Sequence, residues 1–183
     1  ILDNIVIVNP EAGNGRTRKI WPQIELFLKK NIGPLQVKFT SGQGNATVLT
    51  RQVLDRFSAR IIAVGGDGLL NEVLNGFILD DVPVNPEATL SFIMTGTGCD
   101  FQRSLEFSKN WRTAIEGLSK SNVKKIDIGK VTYKDFLKKE KIRYFINIAS
   151  FGISGAVDQS IKNPGIFKFL GSKVIFLWAT IKT

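Results

Sequence analysis

Short apolar runs alternate with longer amphipathic segments along the first 120 residues. These short segments occupy residues 5–8, 35–39, 61–64 and 90–94. Residues 5–8 and 61–64 are wholly apolar and rich in β-branched side chains, as is typical of buried strands, and the other two segments are strand-like with one or two polar positions. The amphipathic segments repeat apolar residues three and four positions apart, as one face of a helix does, and they occupy residues 16–31, 46–57, 70–77 and 111–120. Strands that alternate with helices predict an α/β fold, with a mainly parallel open sheet and flanking helices.

The pattern changes after residue 122. Residues 123–133 and 141–151 alternate apolar and polar positions and are separated by a charged segment, which predicts an antiparallel pair of strands. We therefore predict an α/β domain over residues 1–122 and the beginning of a second, β-rich domain over residues 123–183. Residues 166–183 are apolar with helical spacing but include Lys168 and Lys173, so we expect a helix that packs on the second domain rather than one that spans a membrane, with membrane contact as the alternative.

A glycine-rich turn lies at the centre of this pattern. Gly65-Gly66-Asp67-Gly68 follows the third strand directly and leads into a helix. Such a junction places backbone N–H groups and a helix N-terminus at the carboxyl end of a parallel strand, where they can bind phosphate. Residues 9–15 and 95–101 are glycine-containing segments after the first and fourth strands. The carboxyl ends of parallel strands meet at one edge, so the three segments together predict a nucleotide site.

Asp67 is the unusual residue of the turn. A carboxylate repels a phosphate unless a cation lies between them, and Mg²⁺ is commonly bound by one or two carboxylates together with substrate phosphates. The alternative is that Asp67 simply caps the helix that follows, and the two roles can coexist. Glu72, in the first turns of the same helix, either compensates the helix dipole or reaches the same cation.

The amino-acid composition excludes several kinds of catalytic site. The 183 residues contain no histidine, which excludes Ser-His-Asp and Cys-His catalysis, and Cys99 is the only cysteine, which excludes an internal disulfide and fits a reducing, cytoplasmic location. The net charge of +9 favours an anionic partner such as a membrane surface, nucleic acid or a phosphate-rich ligand. Since no nucleic-acid-binding motif is present, we expect peripheral membrane association and no nucleic acid beyond free nucleotide.

Three motifs together resemble the signature of the diacylglycerol kinase catalytic-domain family, which includes bacterial diacylglycerol and other lipid kinases, sphingosine kinases and ceramide kinases. They are Asn9-Pro10-Glu11-Ala12-Gly13-Asn14-Gly15, then Gly65-Gly66-Asp67-Gly68 continued by Asn71-Glu72-Val73 and Asn75-Gly76, and finally Gly96-Thr97-Gly98-Cys99-Asp100-Phe101. The motifs stand in the order and approximate spacing of the family, and the resemblance extends over about residues 4–160.

The resemblance implies an ATP-dependent lipid kinase that uses Mg²⁺ and transfers the γ-phosphoryl group to the hydroxyl of a diacylglycerol or sphingoid lipid. It also implies an N-terminal domain like that of NAD kinase and phosphofructokinase, followed by an antiparallel β-sandwich that holds the lipid. The expected partners are the lipid substrate and a membrane surface, and a homodimer is left open.

The motif positions also imply site residues. Asp67 and Asp100 would be catalytic, with Asp67 on the metal directly or through water. The nucleotide-binding positions would be Asn9, Pro10, Glu11, Ala12, Gly13, Thr40, Gly66, Asp67, Gly68, Leu69, Leu70, Asn71, Glu72 and Thr97. The sequence departs from the family at Cys99, where asparagine is usual, and at Leu69, where many members have threonine but sphingosine-kinase-like members tolerate an apolar residue.

Two further hypotheses stay open at this point. In the family, the general base comes from a part of the second domain that no motif identifies here, so the chain could be a nucleotide-binding or regulatory module that is inactive alone. A small-molecule kinase like NAD kinase shares the Gly-Gly-Asp-Gly turn. The Asn9-Pro10 opening and the residues 96–101 stretch argue against that second hypothesis.

Overall fold

A computed structural model describes residues 3–57, 59–105, 107–120, 123–135, 137–147 and 149 of the chain. With the exception of Ala149, these residues belong to one compact unit that ends at Asn147. The predicted helix over residues 166–183 lies outside the described residues, as does the end of the second predicted antiparallel strand.

The described part contains eight strands and five helices. The strands are β1 (Asp3–Val8), β2 (Gln36–Phe39), β3 (Ala59–Gly65), β4 (Ile78–Leu79), β5 (Val82–Pro83), β6 (Thr89–Met94), β7 (Gly129–Lys134) and β8 (Glu140–Phe145). The helices are α1 (Arg16–Ile32), α2 (Asn45–Leu54), α3 (Asp67–Phe77), α4 (Asp100–Ser104) and α5 (Trp111–Ser119).

The main sheet has the order β2-β1-β3-β6, and all three pairings are parallel. Ile5 of β1 lies opposite Ile61 of β3, which lies opposite Leu90 of β6. This arrangement confirms the predicted parallel sheet. Because the strands run in the same direction, the segments that follow them emerge at one edge of the sheet.

Helices cover both faces of this sheet. Side chains that alternate along β1 and β3 divide between two core clusters, with Ile5 and Ile61 in one and Val6 and Ile62 in the other. The first cluster includes residues of α2, α3 and α4, and the second includes residues of α1 and α5. Burial on both faces explains why β1 and β3 read as continuous apolar runs rather than as alternating ones.

Two antiparallel hairpins complete the described part. β7 and β8 run antiparallel, with Gly129 opposite Phe145 at one end and Lys134 opposite Glu140 at the other. This pairing confirms antiparallel structure after residue 122. β4 and β5 form a hairpin of two residues a side, whose turn residues Asp80 and Asp81 both have positive φ, as a tight two-residue turn requires. Among the described residues, no helix is both long enough and apolar enough to cross a membrane.

Candidate active site

The segments after β1, β3 and β6 are joined to one another through their backbones. The N–H of Asn9 donates to the carbonyl of Val64 at 3.0 Å, and the N–H of Thr95 donates to the carbonyl of Gly65 at 2.7 Å. The N–H of Gly96 shares the Gly65 carbonyl at 3.2 Å. The three glycine segments therefore meet at the carboxyl edge of the sheet, as their positions in the sequence predict.

Two glycines are required by this close approach. A Cβ atom on Gly96 would lie 2.6 Å from the Cα atom of Gly66, and one on Gly13 would lie 2.7 Å from the carbonyl oxygen of Thr95. Gly13 also has a φ of 62°, a conformation that side chains disfavour. These contacts leave no room for side chains where the loops cross, whereas Gly68 faces open space.

The loop after β1 is fixed by its own polar groups. Asn9 Oδ1 accepts the N–H of Glu11 at 3.0 Å, and the Glu11 carboxylate forms an ion pair with Arg18. The buried Thr17 hydroxyl, in the first turn of α1, lies 2.5 Å from the hydroxyl of Thr95. This hydroxyl pair, which the sequence did not indicate, ties the start of α1 to the loop after β6.

Asp67 is the first residue of α3, but its carboxylate caps a different helix. It accepts the N–H groups of Asp100 at 3.1 Å and Phe101 at 3.2 Å, which are the first two residues of α4. The residue that precedes α3 is Gly66, and no side chain caps that end. The interpretation that Asp67 caps its own helix is therefore wrong, since its capping bonds join the second glycine motif to the third.

Asp67 and Asp100 both lie beside Gly98. A Cβ atom built there would lie 3.2 Å from Asp67 Oδ2 and 3.8 Å from Asp100 Oδ2. Arg103 forms an ion pair with Asp100 and donates to the Gly98 carbonyl at 3.0 Å. A carboxylate offers about four lone-pair positions and the two N–H groups use two of those on Asp67, so the site retains oxygen capacity for a cation.

This donor set fits Mg²⁺ only together with a phosphate ligand. Across the described ranges, no group of three or more acidic or cysteine side chains is arranged to hold a metal ion. Mg²⁺ in kinases is typically held by one or two carboxylates and by substrate phosphates, so two carboxylates beside a phosphate-binding turn suit that case.

The other predicted nucleotide-binding residues differ in their surroundings. Thr97 is exposed, and Thr40 is half-buried at the end of β2, where its N–H donates to the carbonyl of Val8 at 2.9 Å. The side chains of Leu69 and Leu70 are buried in the core, so only their backbones can face a ligand. The Leu70 N–H already donates to the Gly66 carbonyl at 3.1 Å.

Glu72 contacts α2 rather than the two aspartates. Its carboxylate accepts the N–H of Gly44 at 2.9 Å and the N–H of Ala46 at 3.2 Å, at the N-terminus of α2. Of the two roles considered from the sequence, a cation ligand and dipole compensation, the structure gives it a helix-capping role, and the helix it caps is the neighbouring one.

The asparagines of the central motif contact β8. Asn71 and Asn75 both hydrogen-bond to the backbone of Tyr144, and Asn71 also accepts a hydrogen bond from Arg143. Their spacing along α3 gave a hint that they share a face, but the sequence offered no signal for their partner in β8.

Cys99 occupies the left-handed region, with φ 55° and ψ 43°, directly before α4. Its thiol is half-buried and donates to the carbonyl of Gly96 at 3.2 Å. Burial, and next the negative charge of Asp67, raise the pKa of this thiol above its ordinary value. A raised pKa disfavours the reactive thiolate, so these surroundings fit a structural rather than a reactive cysteine.

Comparison with known proteins identifies relatives of this arrangement. The model of the diacylglycerol kinase catalytic domain matches residues 3–131. A diacylglycerol kinase of Staphylococcus haemolyticus is 33% identical over 147 residues, which are 80% of this chain and 41% of the relative. One of Staphylococcus saprophyticus is 32% identical over 147 residues, with 80% and 44% covered.

Solved structures give the same result. A crystal structure of a diacylglycerol kinase from Bacillus anthracis superposes with a TM-score of 0.60 and 31% sequence identity, covering 71% of this chain and 43% of that one. The chain thus spans less than half the length of the relatives it matches.

Proposed function

Since the chain belongs to the diacylglycerol kinase catalytic-domain family, we propose that it binds ATP at the carboxyl edge of its parallel sheet. We infer further that the γ-phosphoryl group passes from this site to the hydroxyl of a lipid of the diacylglycerol or sphingoid type. The observation that supports both steps most strongly is the meeting of three glycine segments, with the carboxylates of Asp67 and Asp100 beside the same glycine.

The glycine segments would hold the phosphates. The backbones of residues 9–13, Gly66 and Gly68 would donate N–H groups, and the short Gly66–Gly96 approach would keep the loops from moving when charge accumulates. Thr40 and Thr97 would contact the rest of the nucleotide, each from the end of a strand. Leu69 and Leu70 would contribute only backbone, while Asn71 and Glu72 would position α3.

Asp67 and Asp100 would hold Mg²⁺ between the protein and the phosphates. Bound there, Mg²⁺ would neutralise charge on the transferring phosphoryl group. The chain's part is to orient the two carboxylates, since two backbone N–H groups fix Asp67 and Arg103 fixes Asp100. The proposal leaves the general base for the lipid hydroxyl to the second domain.

A lipid substrate also requires access to a bilayer. The net charge of +9 would favour attraction to anionic phospholipid headgroups, and hence peripheral contact with a membrane from the cytoplasmic side. The division into a nucleotide domain over residues 1–122 and a lipid-holding domain from residue 123 is part of the same proposal.

The test is calorimetric titration of the 183-residue chain with ATP and Mg²⁺, using ADP and NAD as competitors. Asp67→Asn removes the charge and keeps one of the two oxygens that accept the α4 N–H groups, and we expect Mg²⁺–ATP affinity to fall about tenfold or more. Asp135→Asn is the control for the loss of charge alone, because Asp135 Oδ1 accepts two backbone N–H groups, each at 2.9 Å, in the turn between β7 and β8, and asparagine can keep both.

Three results would contradict the nucleotide site. They are failure of the folded wild type to bind ATP, an equal loss in Asp67→Asn and Asp135→Asn, and competition by NAD that is stronger than that by ADP. Transfer of phosphate from ATP to diacylglycerol or sphingosine in mixed micelles then separates the two lipid classes. ATP binding without transfer to either lipid would contradict the transfer step and favour a nucleotide-binding or regulatory module.

A further inference from the structure

Three polar residues form a stripe along α3. Asp67, Asn71 and Asn75 are spaced four residues apart, so their side chains lie on one face of the helix, one turn after another. The first contacts α4, as described above, and the other two contact β8. A single helix face therefore connects the candidate metal site to a strand that lies beyond residue 131, where the family match ends.

Asn71 and Asn75 bind the backbone of Tyr144 as a neighbouring strand would. Asn75 Oδ1 accepts the Tyr144 N–H at 3.0 Å, and its Nδ2 donates to the Tyr144 carbonyl at 3.0 Å. Asn71 Nδ2 donates to the same carbonyl at 3.0 Å, and Asn71 Oδ1 accepts from Arg143 Nε at 2.8 Å. The two side-chain amides thus form hydrogen bonds with the N–H and the carbonyl that Tyr144 presents at the outer edge of β8, as a paired strand would.

The ring of Tyr144 is held at its other end by Asp81. The phenol donates to Asp81 Oδ1 at 2.7 Å and accepts the Asp81 N–H at 3.1 Å. Lys130, which lies opposite Tyr144 in the β7–β8 register, donates to Asp81 Oδ2 at 2.6 Å. The β4–β5 turn and both strands of the hairpin therefore meet at one carboxylate.

The residues directly after β8 contact the other helix of the candidate site. Ile146 packs against the core cluster that contains Phe101 of α4, and Ser104 Oγ lies 3.4 Å from Asn147 Oδ1. Residues 144–147 are thus attached to α3 and to α4, the two helices that begin with Asp67 and Asp100.

We propose that Asn71, Asn75 and Asp81 form a strand clamp that positions β8 relative to Asp67 and Asp100. Nucleotide bound at the two aspartates and order in β8 then favour each other through α3 and α4. The inference rests on the proposed function, in which β7 and β8 are the first strands of the lipid-holding domain. The clamp residues are positioning residues: they set where the lipid hydroxyl meets the phosphates without touching either.

Amide hydrogen exchange at Tyr144, measured by NMR with and without saturating Mg²⁺–ATP, tests this coupling. Asn75→Ala removes the two hydrogen bonds that Asn75 makes with the Tyr144 backbone and leaves the one from Asn71, and we expect the Tyr144 amide to exchange about tenfold faster or more. Asn31→Ala is the matched control, because the Asn31 amide donates to a carbonyl four residues earlier in α1, as the Asn75 amide also does in α3.

The dependence on ATP distinguishes coupling from a merely structural contact. In the wild type we expect Mg²⁺–ATP to slow Tyr144 exchange by about threefold or more, and in Asn75→Ala this slowing disappears. By reciprocity, ATP affinity in Asn75→Ala falls by no more than the factor by which ATP slows exchange in the wild type. Tyr144→Phe, which removes only the contact with Asp81, should weaken the coupling and keep the backbone bonds.

Two results would overturn the clamp. In the first, the wild type binds ATP but the exchange of the Tyr144 amide does not change. In the second, Asn75→Ala and Tyr144→Phe both keep the full ATP-dependent slowing of that exchange. If the wild type does not bind ATP, the proposed function fails and the coupling fails with it. These cases are distinguishable, because the calorimetric titration reads nucleotide binding separately from exchange.

Discussion

Gly66 and Gly96 cross so closely that a Cβ atom on Gly96 would lie 2.6 Å from the Gly66 Cα atom. Backbone cannot move aside as the end of a long side chain can, so Gly96→Ala forces the loops after β3 and β6 apart. We expect a loss of about 1–3 kcal/mol in the free energy of unfolding, and weaker ATP binding in the protein that remains folded. Urea denaturation measures the first effect and calorimetric titration the second.

Gly117→Ala is the control for this substitution. Gly117 lies inside α5, and no atom stands within 4 Å of a Cβ built on it. Alanine favours a helix over glycine, so this variant should gain about 0.5–1 kcal/mol. Equal denaturation midpoints for Gly96→Ala and the wild type would contradict this prediction, because they would mean that the backbones of Gly66 and Gly96 can accommodate a methyl group between them.

Glu72→Ala should destabilise the fold without removing the cation site. The substitution leaves the N–H groups of Gly44 and Ala46 without their acceptor at the start of α2, which costs about 1–2 kcal/mol. Glu25→Ala, which removes only an exposed pair with Lys29, should cost about 0.3–0.5 kcal/mol. Denaturant midpoints compare the two variants.

The Glu72→Gln variant separates capping from metal binding. Glutamine keeps one acceptor oxygen but no charge, so we expect a smaller loss of stability than in Glu72→Ala and little change in the Mg²⁺ dependence of ATP binding. A loss of Mg²⁺ dependence as large as that of Asp67→Asn would mean that the Glu72 carboxylate reaches the cation after all.

The parallel sheet and the meeting of the three glycine segments at its edge were predictable from local sequence. The β-branched run at residues 61–64 ends directly in glycines, and the run at residues 5–8 precedes another glycine loop. Each signal lies within about ten residues of chain, and the rule that parallel strands end at one edge brings the segments together.

The roles of the residues on α3 were not predictable, because their partners are distant in sequence. Asp67 binds residue 100, Glu72 binds residue 44 and Asn75 binds residue 144, each through a backbone N–H group that every residue type except proline offers. An acidic residue in the first turn of a helix has the same local signature whether it caps that helix, another helix or a metal. The short elements β4, β5 and α4 were missed because two to five residues show no periodicity.

Cys99→Asn should stabilise the protein. Cys99 has a φ of 55°, and this left-handed conformation costs an ordinary L-residue about 1–2 kcal/mol, while asparagine adopts it more readily. We expect a gain of about 0.5–1 kcal/mol in urea denaturation. Asparagine is also the usual residue at this position in the family, so nucleotide binding should persist.

Cys99→Ala provides the comparison. Alanine keeps the left-handed conformation and loses the hydrogen bond to the Gly96 carbonyl, so the variant should be less stable than the wild type. If alanine and asparagine gave the same denaturation midpoint, backbone strain at Cys99 would not be the cause of the gain.

Tyr144 should titrate at unusually high pH. Its hydrogen bond to the Asp81 carboxylate, and next its partial desolvation, favour the neutral phenol and raise its pKa above the ordinary value of 10.0. The separate hydrogen bond from Lys130 to Asp81 raises the pKa of Lys130 above 10.5, while hydrogen bonds from Lys130 and Tyr144 lower the pKa of Asp81 below 3.8. A group whose pKa is raised by folding stabilises the folded protein at pH values below its unfolded-state pKa. This contribution is lost as the pH rises through its folded-state pKa. The lowered pKa of Asp81 acts in reverse, so the cluster weakens above about pH 10 and below about pH 4.

Ultraviolet titration of the phenol measures this shift in a Tyr133→Phe background, because the chain has only two tyrosines. Asp81→Asn removes the negative charge and keeps an acceptor oxygen, and asparagine tolerates the positive φ of this turn position, so the pKa of Tyr144 should fall toward 10.0. Asp80→Asn makes the same charge change one residue earlier, also at positive φ, and should move the titration much less. Equal shifts in the two variants would mean that net charge, rather than the hydrogen bond between Tyr144 and Asp81, controls the phenol.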